Sequence, residues 1–151
     1  RHSKINVLHK SILILGAGGV VPSIIYSLLS MGCKKIFLSN RTIEKAENIK
    51  KKFEEVEVLK WKEIPDFDIV INATSVGLKG ESLDLDFNTK DKVFYDVIYN
   101  PKETQFLKKA RENGNRIENG KLMFIYQANQ SFSIWNNVIP KIDEEALKIL
   151  E

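Results

Sequence analysis

The chain has 151 residues, enough for one domain of ordinary size and too few for two. Its 43% hydrophobic and 28% charged residues lie near the averages for folded soluble proteins, which argues against a disordered, collagen-like or disulfide-scaffold chain. Lys and Arg total 23 against 20 for Asp and Glu, and the net charge of +3 is too small and too evenly spread to predict a nucleic-acid partner.

In chain order, residues 11–15 form a short apolar run that stops at glycines, the pattern of a strand buried on both faces. Residues 20–31 read as a helix, with Pro22 near its start, Ile24, Ile25, Leu28 and Leu29 on one face, and Gly32 ending it. A second strand follows over 35–39. A helix over 42–53 is capped by Thr42 and turns Ile43, Ala46, Ile49 and Phe53 inward. Further strands are expected at 56–60, 69–73, 93–97 and 116–118. Helices are expected at 104–113, 121–136 and 143–150. Phe106, Leu107, Phe132 and Trp135 read as core.

Strands alternating with helices predict an α/β fold: a three-layer, doubly wound (Rossmann-like) parallel sheet of about six strands with flanking helices. The one long irregular stretch is 75–92, a length often functional in a compact domain. The single cysteine, Cys33, has no internal disulfide partner and fits a reducing cytoplasm. No apolar run reaches the roughly 18 residues of a membrane span, so no membrane partner is expected. The chain begins with Arg1 rather than Met, and the expectation is a piece cut from something longer. His2 and His9 stand apart from any ligand cluster, so no metal is expected.

Residues 16–21 (Gly-Ala-Gly-Gly-Val-Val) follow a strand and open a helix, the setting a dinucleotide fingerprint requires. Gly16 permits the tight turn, Gly18 lets backbone approach a pyrophosphate, and the helix N-terminus offers N–H groups to phosphates. The usual third small residue is replaced by Val21. The bland alternative is a glycine-rich turn with no ligand.

The end of the second strand chooses between cofactors. An NAD site places Asp or Glu there for the ribose 2′-hydroxyl. Here the residues are Asn40, Arg41 and Thr42, with Lys45 one turn on. Arg41 suits a 2′-phosphate, in a charge-assisted contact, and its plane can stack on adenine. NADP(H) is therefore expected over NAD. The alternative is that Arg41 and Lys45 are solvated surface charges.

Three further motifs fall in order along the chain. Residues 72–77 read Asn-Ala-Thr-Ser-Val-Gly, and residues 95–101 read Tyr-Asp-Val-Ile-Tyr-Asn-Pro before Thr104. Residues 119–123 read Asn-Gly-Lys-Leu-Met and lead to Gln127, Phe132 and Trp135. With the glycine turn, and with these gaps, the set resembles the shikimate dehydrogenase family from about Lys10 to the end. Glutamyl-tRNA reductase shares the glycine turn and the Asn-Arg-Thr strand end but lacks the 95–104 pattern.

The resemblance implies a reversible reduction of 3-dehydroshikimate to shikimate with NADPH, in the route to chorismate and aromatic amino acids. It implies that residues 1–151 are the cofactor domain, with 1–10 a lead-in segment and 1–4 the end of a connecting helix. The family's N-terminal domain, with its catalytic Lys and Asp, would lie outside, so no catalytic residue is expected here. Gly18 and Gly19 would sit under the pyrophosphate, with Gly16, Ala17 and Val20 as further cofactor-binding positions, and Asn40, Arg41, Thr42 and Lys45 around the adenosine end. Ala73, Thr74 and Ser75 would pass beside the cofactor, and the backbone of Val97 would meet the nicotinamide. Gly120 would leave room for the carboxamide, with Met123 and Phe124 as an apolar wall. Tyr99 and Gln127 would reach the substrate's polar groups, and Asp96 would fix local backbone. The chain alone would bind cofactor without turnover, and the uncovered docking face would favour self-association, as in a homodimer. A relative acting on quinate as well as shikimate, or a non-catalytic NADP-binding module, are the alternatives.

Overall fold

The computed structural model describes residues 5–148. The predicted connecting-helix end at 1–4, with His2, and the last residues of the predicted 143–150 helix lie outside the described residues. The strands are β1 (Ser11–Leu15), β2 (Lys35–Ser39), β3 (Val56–Leu59), β4 (Ile69–Asn72), β5 (Val93–Asp96) and β6 (Arg116–Glu118). The helices are α1 (Val21–Ser30), α2 (Ile43–Lys50), α3 (Gln105–Glu112), α4 (Lys121–Asn136) and α5 (Glu144–Lys148).

All six strands join one parallel sheet in the order β3-β2-β1-β4-β5-β6. Such a sheet must be covered on both faces, and β1 shows how the sequence achieves this. Ile12 and Ile14 pack with Val21, Ile25 and Leu28 of α1 and Ala46 and Ile49 of α2. Leu13 and Leu15 point the other way, to Phe106, Leu107 and Ala110 of α3. Every inward position on both faces is apolar, so β1 reads as a continuous run rather than an alternation.

The second face is finished by loop as much as by helix. Phe67, Phe87, Phe94 and Phe106 meet edge-on or tilted at 5.2–6.1 Å between centroids, geometries that suit aromatic quadrupoles. Leu83 is buried among them. Asn115 donates to the Thr89 carbonyl at 2.8 Å, and Asn113 to that of Phe87 at 3.2 Å. Residues 83–89 of the 75–92 stretch are thus a packed cover for the sheet, with Leu83, Leu85 and Phe87 turned onto it.

Three expectations are corrected. Ile43 is exposed on the first turn of α2 rather than inward, whereas Ala46 and Ile49 are buried as expected. Thr42 stands at the N-cap of α2 but makes no side-chain cap bond. Phe132 and Trp135 are not core: they are 47% and 80% exposed, and Ile134 is 71% exposed. The physical reason is that α4 buries Ile125, whereas the face of its later turns that carries Phe132, Ile134 and Trp135 is left exposed. Phe106 and Leu107 are core as expected. No helix among the described residues is long and apolar enough to cross a membrane.

Candidate functional site

β1, β2 and β4 end level with one another, with Leu15 in register with both Ser39 and Asn72. The chain leaves β1 through Gly16, whose φ of 103° belongs to glycine's region. Its N–H donates to the Ser39 carbonyl at 2.8 Å. A Cβ there would lie 2.8 Å from the Ala73 carbonyl oxygen, so neighbouring backbone also excludes a side chain. The strand order reverses beside β1, where doubly wound sheets open a crevice for ligands.

Gly18 and Gly19 are exposed at the mouth of that crevice. A Cβ on Gly19 would meet nothing within 4 Å, and one on Gly18 only the Ala73 oxygen at 3.9 Å. The surface over them is open, and α1 begins two residues later, where the first N–H groups of a helix lack intrahelical partners. A phosphate fits such a cradle. Val21, at the position of the usual third small residue, is fully buried between α1 and the sheet. It keeps the packing role with a larger side chain.

The carboxyl end of β2 supplies the cations. Asn40 donates through Nδ2 to the Thr42 carbonyl at 2.7 Å, which shapes the turn into α2. A cavity of about 320 Å³ lies beyond, lined by Gly16, Ala17, Gly18, Asn40, Arg41, Lys45, Ala73, Thr74 and Ser75, with Trp61 and Val76. None of the salt bridges among the described residues takes up Arg41 or Lys45. Two exposed cations thus border a crevice with no carboxylate in its lining, the donor set an anionic group requires.

A buried hydrogen-bond network holds the opposite wall. Asn72 accepts from Thr74 N at 3.1 Å and from Thr74 Oγ1 at 2.7 Å. Its Nδ2 reaches both Asp96 carboxylate oxygens at 3.2 Å. Asp96 also accepts from Ile98 N at 3.0 Å and from Thr104 Oγ1 at 2.6 Å. Burial pushes the Asp96 carboxyl up, while the Thr104, Ile98 and Asn72 donors pull it down. With its oxygens so engaged, Asp96 fixes backbone, as expected from sequence.

From that network the chain runs through Val97 and Tyr99. Val97 N donates to the Asn72 carbonyl at 3.0 Å, and Gly120 N to that of Ile98 at 3.1 Å. A Cβ on Gly120 would sit 2.0 Å from the Val97 oxygen. The glycine is demanded by the Val97 backbone itself, a nearer cause than the room for a carboxamide expected from sequence. Tyr99 stacks on Phe124 at 4.5 Å between centroids, which fastens the loop to α4.

Gly19, Val20, Met123 and Gln127 line a separate cavity of about 860 Å³ between α1 and α4. Its floor is Ile69, Ile71 and Tyr95 of the sheet, and its wall is mostly apolar. Burial, with the nearby Glu118 and Asp96 carboxylates, pushes the Tyr95 phenol up to about 12. The predicted residues therefore divide between two spaces, while Val97, Tyr99 and Gly120 line neither of them. Thr42 lines neither. Sequence reasoning missed Trp61 and Tyr95. The strand order could have revealed the first, because β3 lies beside β2 and its carboxyl end falls next to Arg41.

The family described as Shikimate / quinate 5-dehydrogenase matches residues 2–79. Shikimate dehydrogenase (NADP(+)) of Pelagibacter ubique is 53% identical over 149 residues, covering 97% of this chain and 56% of that protein. The crystal structure of shikimate dehydrogenase from Aquifex aeolicus is similar with a TM-score of 0.84 and 40% identity, over 98% of this chain and 56% of the other. The ligand-free 5-ketofructose reductase of Gluconobacter sp. strain CHM43 is similar with a TM-score of 0.85 and 30% identity, over 99% and 58%. The chain spans a little over half the length of the proteins it matches.

Proposed function

Because the chain belongs to the shikimate/quinate 5-dehydrogenase family, we propose that it is the NADP(H)-binding domain of an enzyme that reversibly reduces 3-dehydroshikimate to shikimate. The carboxyl end of β2 carries the cofactor assignment. Arg41 and Lys45 border the crevice beside the glycine turn, and no Asp or Glu lines it. A carboxylate there would hold a ribose 2′-hydroxyl and repel a 2′-phosphate, and this arrangement does the reverse. The relative from Pelagibacter ubique bears NADP(+) in its name.

Gly18 and Gly19 receive the pyrophosphate at the start of α1, and Asn40, Arg41, Thr42 and Lys45 hold the adenosine phosphate end. Ala73, Thr74 and Ser75 flank the cofactor, and Val97 and Met123 bound its nicotinamide end. When bound, NADPH supplies the hydride for the ring ketone. Tyr99 and Gln127 orient the substrate through hydrogen bonds to its hydroxyls. The proton-handling Lys and Asp are assigned, by the resemblance to the family, to its other domain. The apolar wall of the larger cavity and the exposed side chains of α4 are where that domain docks. Without it, the same face is what two copies of this chain bury in a homodimer. The lone, partly buried Cys33 thiol suits a reducing cytoplasm.

The test is Arg41→Ala. It weakens NADP(H) binding by ~1.5–3 kcal/mol, roughly 10–100-fold, while NAD binding hardly changes. Equal losses for both cofactors would overturn the assignment. The 151 residues alone bind NADPH without shikimate-dependent turnover, and measurable turnover would refute the division of labour.

A further inference from the structure

We propose that the Trp61 indole is the adenine-binding surface of this site, resting on the dinucleotide reading above. Trp61 lies in the turn after β3 and lines the same cavity as Arg41 and Lys45. It is half-buried between exposed neighbours, Lys60 and Lys62. Its inner part packs against the core cluster that holds Leu59 and Phe67, and the rest borders the cavity.

The turn is built to hold that position. Glu63 N donates to the Lys60 carbonyl at 3.1 Å, and Lys60 N to the Glu63 carboxylate at 3.3 Å. Ser39 Oγ, at the end of β2, donates to the same Lys60 carbonyl at 3.2 Å. Lys62 has a φ of 74° and pairs with Asp84. The end of β3 is thus tied both to the end of β2 and to the sheet's loop cover. The parallel register of Leu59 with Ser39 sets residues 60–61 beside Asn40 and Arg41.

An indole bordering a cavity that also holds two cations outside every salt bridge among the described residues matches one ligand chemistry, a purine attached to phosphates. The purine's π-face takes the indole, and the phosphate takes Arg41 and Lys45. The two contacts divide the work. Arg41 distinguishes a 2′-phosphate from a 2′-hydroxyl, whereas Trp61 touches only what NADP and NAD share. It therefore adds affinity for both and discriminates neither.

The experiment compares the unmodified protein with W61A, W61F and R41A by titration with NADPH, NADH and 2′,5′-ADP. W61A raises the Kd of all three ligands by a similar factor of about tenfold, the scale of base–aromatic stacking. W61F, which keeps a π-face, restores most of the affinity, and R41A alone changes the NADPH/NADH ratio. The chain has two tryptophans, so a W135F background leaves Trp61 as the sole indole. Its emission changes on adding 2′,5′-ADP, which carries no nicotinamide. Unchanged 2′,5′-ADP affinity in W61A, with unchanged emission in the W135F protein, would overturn the role of Trp61 and leave the cofactor site standing. Failure of the unmodified protein to bind any of the three ligands would overturn both.

Discussion

Single residues at this site answer to constraints of different kinds. Gly16 and Gly120 are held to glycine by backbone oxygens of Ala73 and Val97, at 2.8 and 2.0 Å from where a Cβ would be. Gly120→Ala is expected to lower the unfolding free energy by ~1–3 kcal/mol, the usual cost of overpacking, read as a lowered melting temperature. Gly19→Ala, facing open space, is expected to cost far less. The Tyr95 phenol ionises at about 12 in the folded protein, above its ordinary 10.0, because it is buried near Glu118 and Asp96. A folded-state pKa raised in this way gives stability that is whole below the unfolded value and lost as pH rises through the folded one. The unfolding free energy should therefore fall by ~2–3 kcal/mol between about pH 10 and 12. Tyr95→Phe should flatten that slope in urea titrations. Neither constraint was visible in the sequence. A glycine after a strand announces a turn, but its collision partner lies just past the end of a different strand.

The elements were more legible than their surroundings. Each strand was expected within a residue of where it stands: β1 and β4 as bare apolar runs, the mark of a parallel strand buried on both faces, and edge strand β3 by its alternation. The stretch from 75 to 92 read as a functional loop because length and acids were all it showed. The contacts of Leu83 and Phe87 that make it a cover are long-range. Helix α4 was placed correctly but its outer turns were misread. Phe132 and Trp135 have the spacing of an apolar face, and periodicity does not say what covers that face. The start of α3 illustrates an element fixed by one side chain. Thr104 Oγ1 donates to Asp96 at 2.6 Å and accepts from Leu107 N, so it caps the helix and satisfies a buried carboxylate together. Thr104→Val keeps the shape and removes both bonds. The expected loss is ~2–3 kcal/mol in urea unfolding, since the hydrogen bond to a charged group is the larger part. Ordinary stability in that variant would mean that the network contributes little to holding the Val97–Tyr99 wall.

At the scale of the whole molecule, the sheet order, the crevice at β1 and the cations after β2 form one system, and the apolar α4 face with its cavity of about 860 Å³ forms another. The first was foreseen from the glycine turn and the Asn-Arg-Thr strand end, both local in sequence. Trp61 was missed because it reaches the site from a third strand, through sheet order alone. The second system is the face proposed for docking. Burying Trp135, 80% exposed here, against a partner domain or a second copy should shift its emission to the blue and protect it from a soluble quencher. Cofactor choice belongs to the first system, and calorimetric titration of the unmodified protein with NADPH and with NADH at equal ionic strength tests it. The expected result is saturable binding of both, at least about tenfold tighter for NADPH. Equal affinities, tighter binding of NADH, or no binding of NADPH would contradict it.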